Sequence, residues 1–231
     1  MADDLVRLLD RIGRLEERER FSDALVVSRR ACALDPAEPA AWEARGEMAL
    51  RSGEPGESAD ALDRLTRLEP QSADAWFAYG EALLWSGRDG AEACFQRAAR
   101  LDPGRYVVPF RVTAAEFEAL AGGVLPALPA KVIDFLEETG TGIAVLPLPA
   151  LTMVAGAHLD PHALGYWLGN VYGVSGSWGE VNPSAIEIYQ LNIENWCPDR
   201  TSLTNEIRRT VLHEVGHAVG MDHGALHADG Y

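Results

Sequence analysis

Cysteine is scarce in this chain. Cys32, Cys94 and Cys197 are the three thiols in 231 residues. Their odd number and wide spacing argue against a disulfide framework and against a cysteine-based zinc site. The expected setting is reducing and cytoplasmic. Basic residues are also few: 20 Lys and Arg stand against 35 Asp and Glu, a net charge of −15. Binding to phosphate needs a basic footprint, so nucleic acid and anionic membrane surfaces are not expected partners. No apolar run reaches the roughly 18 residues that cross a bilayer. The start, Met1-Ala2-Asp3-Asp4-Leu5-Val6-Arg7, is acidic and amphipathic, without the basic start and apolar run of a secretory signal. Any substrate is therefore expected inside the cell. The rest of the composition, 47% apolar and 24% charged, is that of a soluble globular chain. The length allows one large or two small domains.

The first hundred residues repeat themselves. Leu34-Asp35-Pro36, Leu68-Glu69-Pro70 and Leu101-Asp102-Pro103 recur at spacings of 34 and 33. Trp42 and Trp76 are 34 apart, as are Gly46 and Gly80, and Gly53 and Gly87. The third unit is the fullest: Trp76-x-x-Tyr79-Gly80 opens one helix, and Ala91-x-x-x-Phe95, Ala98 and Pro103 mark the next. The second keeps Trp42, Gly46, Leu62, Leu65 and Pro70, with Arg45 and Ser58 as departures. The first keeps Ala24, Ala31 and Pro36 beside the apolar residues Leu8, Ile12 and Leu15. This pattern resembles the tetratricopeptide repeat, a unit of two antiparallel helices. The resemblance implies an all-α repeat domain over residues 1–105, of about three units with the first degenerate, and a protein partner bound through the repeats. The two tryptophans are expected to be core residues.

Residues 106–231 read as a small α+β domain. Thr113 three residues before Glu116 is a capping box, opening a helix through Phe117, Leu120 and Val124. A second helix is expected from Pro129 to Glu138. Strands are expected at 143–148, 164–169 and 185–193, with 150–163 irregular and a Gly-, Ser- and Asn-containing loop from Ser175 to Pro183. The last helix is expected from Leu203 to about Val219, capped by Thr201 or Ser202, with Leu203, Ile207, Val211, Val215 and Val219 facing inward.

That helix carries His213-Glu214-Val215-Gly216-His217-Ala218-Val219-Gly220-Met221-Asp222-His223. The pattern is H-E-x-x-H-x-x-G-x-x-H. At about 100° per residue, His213 and His217 lie about 40° apart on one face, one turn from each other. Two imidazoles so placed can grip one cation, and Glu214 can reach a water on it. Gly220 can take the left-handed conformation that ends a helix and turns the chain back. His223 can then serve as a third ligand, with Asp222 beside it as the fallback. The metal residues are thus His213, His217 and His223, the general base is Glu214, and imidazole ligands favour Zn²⁺. A second cation between His158 and His162 and a competing role for His227 are weaker readings than a polar loop and a tail. Tyr166, Tyr189 and Tyr231 are the candidate oxyanion stabilisers.

Residues 113 to 226 resemble the minimal zincin-like metallopeptidases of bacteria. The stations are Phe117-Glu118-Ala119-Leu120, the strand at 143–146, Gly165-Tyr166-Trp167-Leu168-Gly169, the strand at 186–189, and Arg209 to His217. Many family members use aspartate as third ligand where position 223 here is histidine. Met221 lies inside the motif and eight residues follow His223, so no methionine turn of a metzincin is expected. The resemblance implies a zinc-dependent peptidase in which Glu214 activates a zinc-bound water. The substrate is expected to add beside the strand at 185–193, and the repeats to recruit a protein substrate or partner. The alternative is a repeat-based interaction scaffold whose zinc site is structural or inactive.

Overall fold

The 34-residue spacing is explained by what each recurrent residue touches. In the computed structural model, which describes residues 2–156, 159–169 and 185–220, six helices follow one another: α1 (Ala2–Glu16), α2 (Phe21–Leu34), α3 (Pro39–Arg51), α4 (Pro55–Leu68), α5 (Ala73–Ser86) and α6 (Ala91–Leu101). They form three antiparallel pairs. A Cβ on Gly46 would lie 2.5 Å from Leu62 Cγ, and one on Gly80 would lie 2.8 Å from Phe95 Cε1. Only glycine lets α3 meet α4, and α5 meet α6, at this distance. Trp42 Nε1 donates to Pro36 O at 3.0 Å, and Trp76 Nε1 donates to Pro70 O at 3.1 Å. Each indole therefore packs against the core and also ties its helix to the preceding turn. In the first unit Ile12 stands 34 residues before Gly46 and is buried, so that pair lacks the small residue of the other two. A charge network crosses three helices: Glu57 of α4 accepts from Arg29 of α2 and from Arg45 of α3, at 2.5 and 2.7 Å.

Thr113 and Glu116 form the expected capping box at the start of α7 (Ala114–Gly122). A 3-10 turn (Leu125–Ala127), α8 (Ala130–Thr139) and β1 (Gly142–Leu146) follow. The stretch expected to be irregular contains a short helix, α9 (Leu151–Ala155). Then come β2 (Gly165–Leu168), β3 (Ala185–Tyr189), α10 (Gln190–Glu194) and α11 (Arg200–Ala218). Ser175–Pro183 lies outside the described residues. Two expected boundaries are corrected. The strand at 185–193 stops at Tyr189, because Gln190–Glu194 turns helical around a buried carboxylate: Glu194 accepts from Gln190 Nε2 at 2.8 Å and from Val112 N at 3.2 Å, and Arg111 Nη1 lies 3.3 Å away. The last helix begins at Arg200, and its cap is Asp199, whose carboxylate accepts from Ser202 N at 2.8 Å while Ser202 Oγ closes the box.

The chain divides into two units, Met1–Val108 with Pro149–Pro161, and Pro109–Leu148 with His162–Tyr231. The excursion through α9 belongs to the first. Gly53, left-handed at φ +77°, ends the turn after α3, and a Cβ there would lie 2.8 Å from Ala155 Cβ. Arg51 Nη2 reaches Asp160 Oδ2 at 3.1 Å.

In the second unit the strands lie in the order β1-β3-β2, with β1 parallel and β2 antiparallel to β3. Ile186 and Ile188 of β3 enter one core with Phe117 of α7 and Leu203, Ile207, Val211 and Val215 of α11. This inward stripe is the expected one except for Val219, which lies past the helix end and is half-buried.

Candidate metal centre and general base

The core stripe fixes the rotation of α11 about its axis. With Val211 and Val215 held inward, Thr210 and Glu214, one turn apart, face β2, and His213 and His217 form the next stripe round. His213 and His217 are half-buried, their rings nearly perpendicular at 87°, with Nε2 atoms 3.1 Å apart. Two nitrogens each 2.0–2.1 Å from a tetrahedral zinc lie about 3.3 Å apart. The pair thus has the separation that two ligands of one zinc require. Gly220 adopts the expected left-handed conformation, φ +88°, immediately after the helix.

The remaining predicted ligands lie beyond that point. His223 and its fallback Asp222 fall outside the described residues, as do His158, His227 and Tyr231. Among the described residues no three His, Cys, Asp or Glu side chains converge as a metal site.

Glu214 is set into the protein beneath β2. It is 7% exposed. Burial pushes its carboxyl up to about 7, and a hydrogen bond from the Trp167 backbone N–H opposes that rise. The register explains the donor. Tyr189 N–H bonds to Leu164 O, so Tyr166–Glu187 and Leu168–Ala185 are the other hydrogen-bonded pairs. Gly165 and Trp167 therefore turn their backbone groups away from β3. Gly165 makes the approach possible: a Cβ there would lie 2.9 Å from Thr210 Cγ2, 3.0 Å from Glu214 Cγ and 3.1 Å from Glu187 O.

Gly165, Trp167 and Thr210 are the site residues that sequence reasoning missed. The available signal was a glycine inside a strand, which often marks close approach of another element.

Two half-buried histidines one turn apart, with a buried glutamate between them in sequence, thus stand on a helix packed against a three-stranded sheet. Residues 141–231 match the Zincin-like metallopeptidase family. Residues 10–65 and 49–106 match the Tetratricopeptide repeat family. No curated protein matches the chain. The zincin-like segment thus begins at Thr141, just before β1, and leaves α7 and α8 outside the matched residues.

Within the zincin-like segment the candidate oxyanion groups separate. Tyr189 is fully buried and donates to Glu187 Oε2 at 2.7 Å. Burial first, and then this bond to a carboxylate, push its phenol upward. Tyr166 is half-buried on β2, opposite Glu187 in the register. The strand expected to receive an extended substrate is also corrected. β3 is central and pairs on both sides, so its ladder groups are already used.

Proposed function

We propose that the zincin-like segment is a zinc-dependent peptidase. The observation that carries this reading is the placement of Glu214: a buried carboxylate held by the Trp167 amide, adjacent in sequence to an imidazole of a pair separated by the distance two zinc ligands require. His213 and His217 would hold the metal, with His223 assigned as third ligand. Zinc, when bound, supplies a Lewis acid that polarises the scissile carbonyl and acidifies water.

The chain's own groups do the rest. Glu214 accepts the proton of the attacking water and returns it to the leaving amine. Its burial and the bond from the Trp167 amide hold the carboxyl in one place for both transfers. An extended substrate is assigned to the edge strand β2 beside Glu214, through outward-facing backbone groups other than the Trp167 N–H, which Glu214 takes. The repeats are assigned the recruitment of a protein substrate or partner.

A repeat scaffold with a structural metal would have no use for a glutamate at position 214. The test is metal analysis of the purified chain and of its His213→Ala, His217→Ala and Glu214→Gln variants. One zinc per chain in wild type and Glu214→Gln, lost in both histidine variants, is expected. Equal zinc in all four would overturn the ligand assignment. Chelation that melts the domain, with no peptide hydrolysis by the loaded protein, would favour the scaffold.

A further inference from the structure

Ile143 and Val145 of β1 stand opposite Ile186 and Ile188 of β3 and pack against the same core. Ile186 and Ile188 are fully buried, whereas Ile143 and Val145 are only half-buried. The difference comes from position. β3 lies between two strands, and among the described residues β1 pairs with β3 alone.

Beside β1 runs a groove of about 460 Å³, lined by Ile143, Ala144 and Val145 on one side and by Glu118, Ala121 and Gly122 of α7 on the other. A second hollow of about 390 Å³ adjoins it through Leu125, which lines both, and adds Ile133, Leu136 and Glu137.

We propose that the open edge of β1 and this groove bind an extended peptide segment of alternating apolar and basic side chains, as an added strand. In a parallel pair, alternate residues turn their backbone N–H and C=O away from the neighbour, so β1 presents donors and acceptors along its outer side. Gly142–Leu146 contains no charged residue and no proline, the devices that guard edge strands. An added strand places every second side chain on one face, towards the apolar wall of Leu125, Ile133 and Leu136. The rim chooses the charge. Thr113–Leu148 contains Glu116, Glu118, Asp134, Glu137 and Glu138 against Lys131 alone. Glu118 and Glu137 line the two hollows and are exposed. α7, the 3-10 turn and α8 all precede Thr141, so apart from β1 this surface is built from residues outside the zincin-like match. The surface is independent of the peptidase reading.

The test is fluorescence anisotropy on the full chain with three labelled octapeptides: alternating Val-Lys, alternating Val-Glu, and Val-Lys with alternate backbone nitrogens methylated. The Val-Lys peptide is expected to bind at least about tenfold tighter than either of the others. A Cβ at Gly122 would meet nothing within 4 Å, so the side chain of Gly122→Phe starts into open space on the wall of the groove that Gly122 lines. It should weaken Val-Lys binding at least about tenfold while leaving the unfolding midpoint unchanged. Glu118→Lys with Glu137→Lys should turn the preference towards Val-Glu. Equal binding of the two charged peptides, or unchanged binding in Gly122→Phe, overturns the proposal. So does a wild-type dimer that Gly122→Phe dissociates, which would make a second copy the occupant. Val-Lys binding that appears only after residues 221–231 are removed would assign the groove to the chain's own end, and likewise overturn it.

Discussion

Gly165→Ala tests whether β2 sets the position of the proposed base. The added methyl would sit 2.9 Å from Thr210 Cγ2, 3.0 Å from Glu214 Cγ and 3.1 Å from Glu187 O. The three neighbours differ in their freedom to move. The carbonyl belongs to the central strand, and Thr210 is fixed by its branched Cβ and by its hydroxyl bond to Glu206 O at 2.9 Å. Glu214 is the one flexible neighbour. Overpacking of this kind costs about 1–3 kcal/mol. For a unit near 100 residues that is a fall in melting temperature of roughly 4–8 °C per kcal/mol. Displacement of Glu214 adds a second effect: a misplacement of about 1 Å at a reacting group lowers turnover on the order of a hundredfold.

The assay is thermal unfolding with peptide hydrolysis, measured well below both midpoints. Thr210→Ser in the same chain removes the Cγ2 contact but leaves the one with Glu214. It should restore part of the midpoint and little of the turnover. A Gly165→Ala protein with wild-type midpoint and wild-type turnover would refute the reasoning.

The repeats and the buried carboxylates carry further predictions. Gly80→Ala places a methyl 2.8 Å from Phe95 and should destabilise the repeat-containing body, Met1–Val108 with Pro149–Pro161, by about 1–3 kcal/mol in urea unfolding, whereas Gly87→Ala, in open space but left-handed at φ +65°, should lose stability through backbone strain alone. The hydrogen bond from Arg29 holds the Glu57 carboxyl down to about 2 against an ordinary value of 4.5. Its folded pKa lies below the unfolded one, so its contribution is complete above about pH 4.5 and is lost as pH falls towards 2. Glu57→Gln should flatten the acid limb of the stability profile over that window. Arg111→Met removes the cation beside the fully buried Glu194, leaving an uncompensated charge, and should cost about 3–5 kcal/mol by denaturant titration.

The repeat was legible because its markers each have a local task. Gly46 and Gly80 admit a neighbouring side chain, and Trp42 and Trp76 bond the turn six residues before them. The histidine pair was legible for the same reason, since a helical spacing of four is a local rule. What escaped was decided by distant partners. The strand at Ala185 ends early because Glu194 and Gln190 gather around residues 111 and 112, some eighty positions away. The burial of Glu214 depends on Gly165, in a strand that sequence periodicity could place but could not orient. Asp199 in place of Thr201 or Ser202 is a smaller miss, because all three residue types cap helices and only the start of α11 decides between them. The helix at Leu151–Ala155 is too short for a periodic signal and packs against Gly53 rather than its own neighbours in sequence.

The central claim is that Glu214 is the base of a metal-dependent hydrolase. The most direct measurement is cleavage of a peptide library by wild type and Glu214→Gln, each loaded to the same zinc content. The account predicts cleavage by wild type and a loss of at least about a hundredfold in the variant. Equal cleavage by both proteins, or none by zinc-loaded wild type, would contradict it.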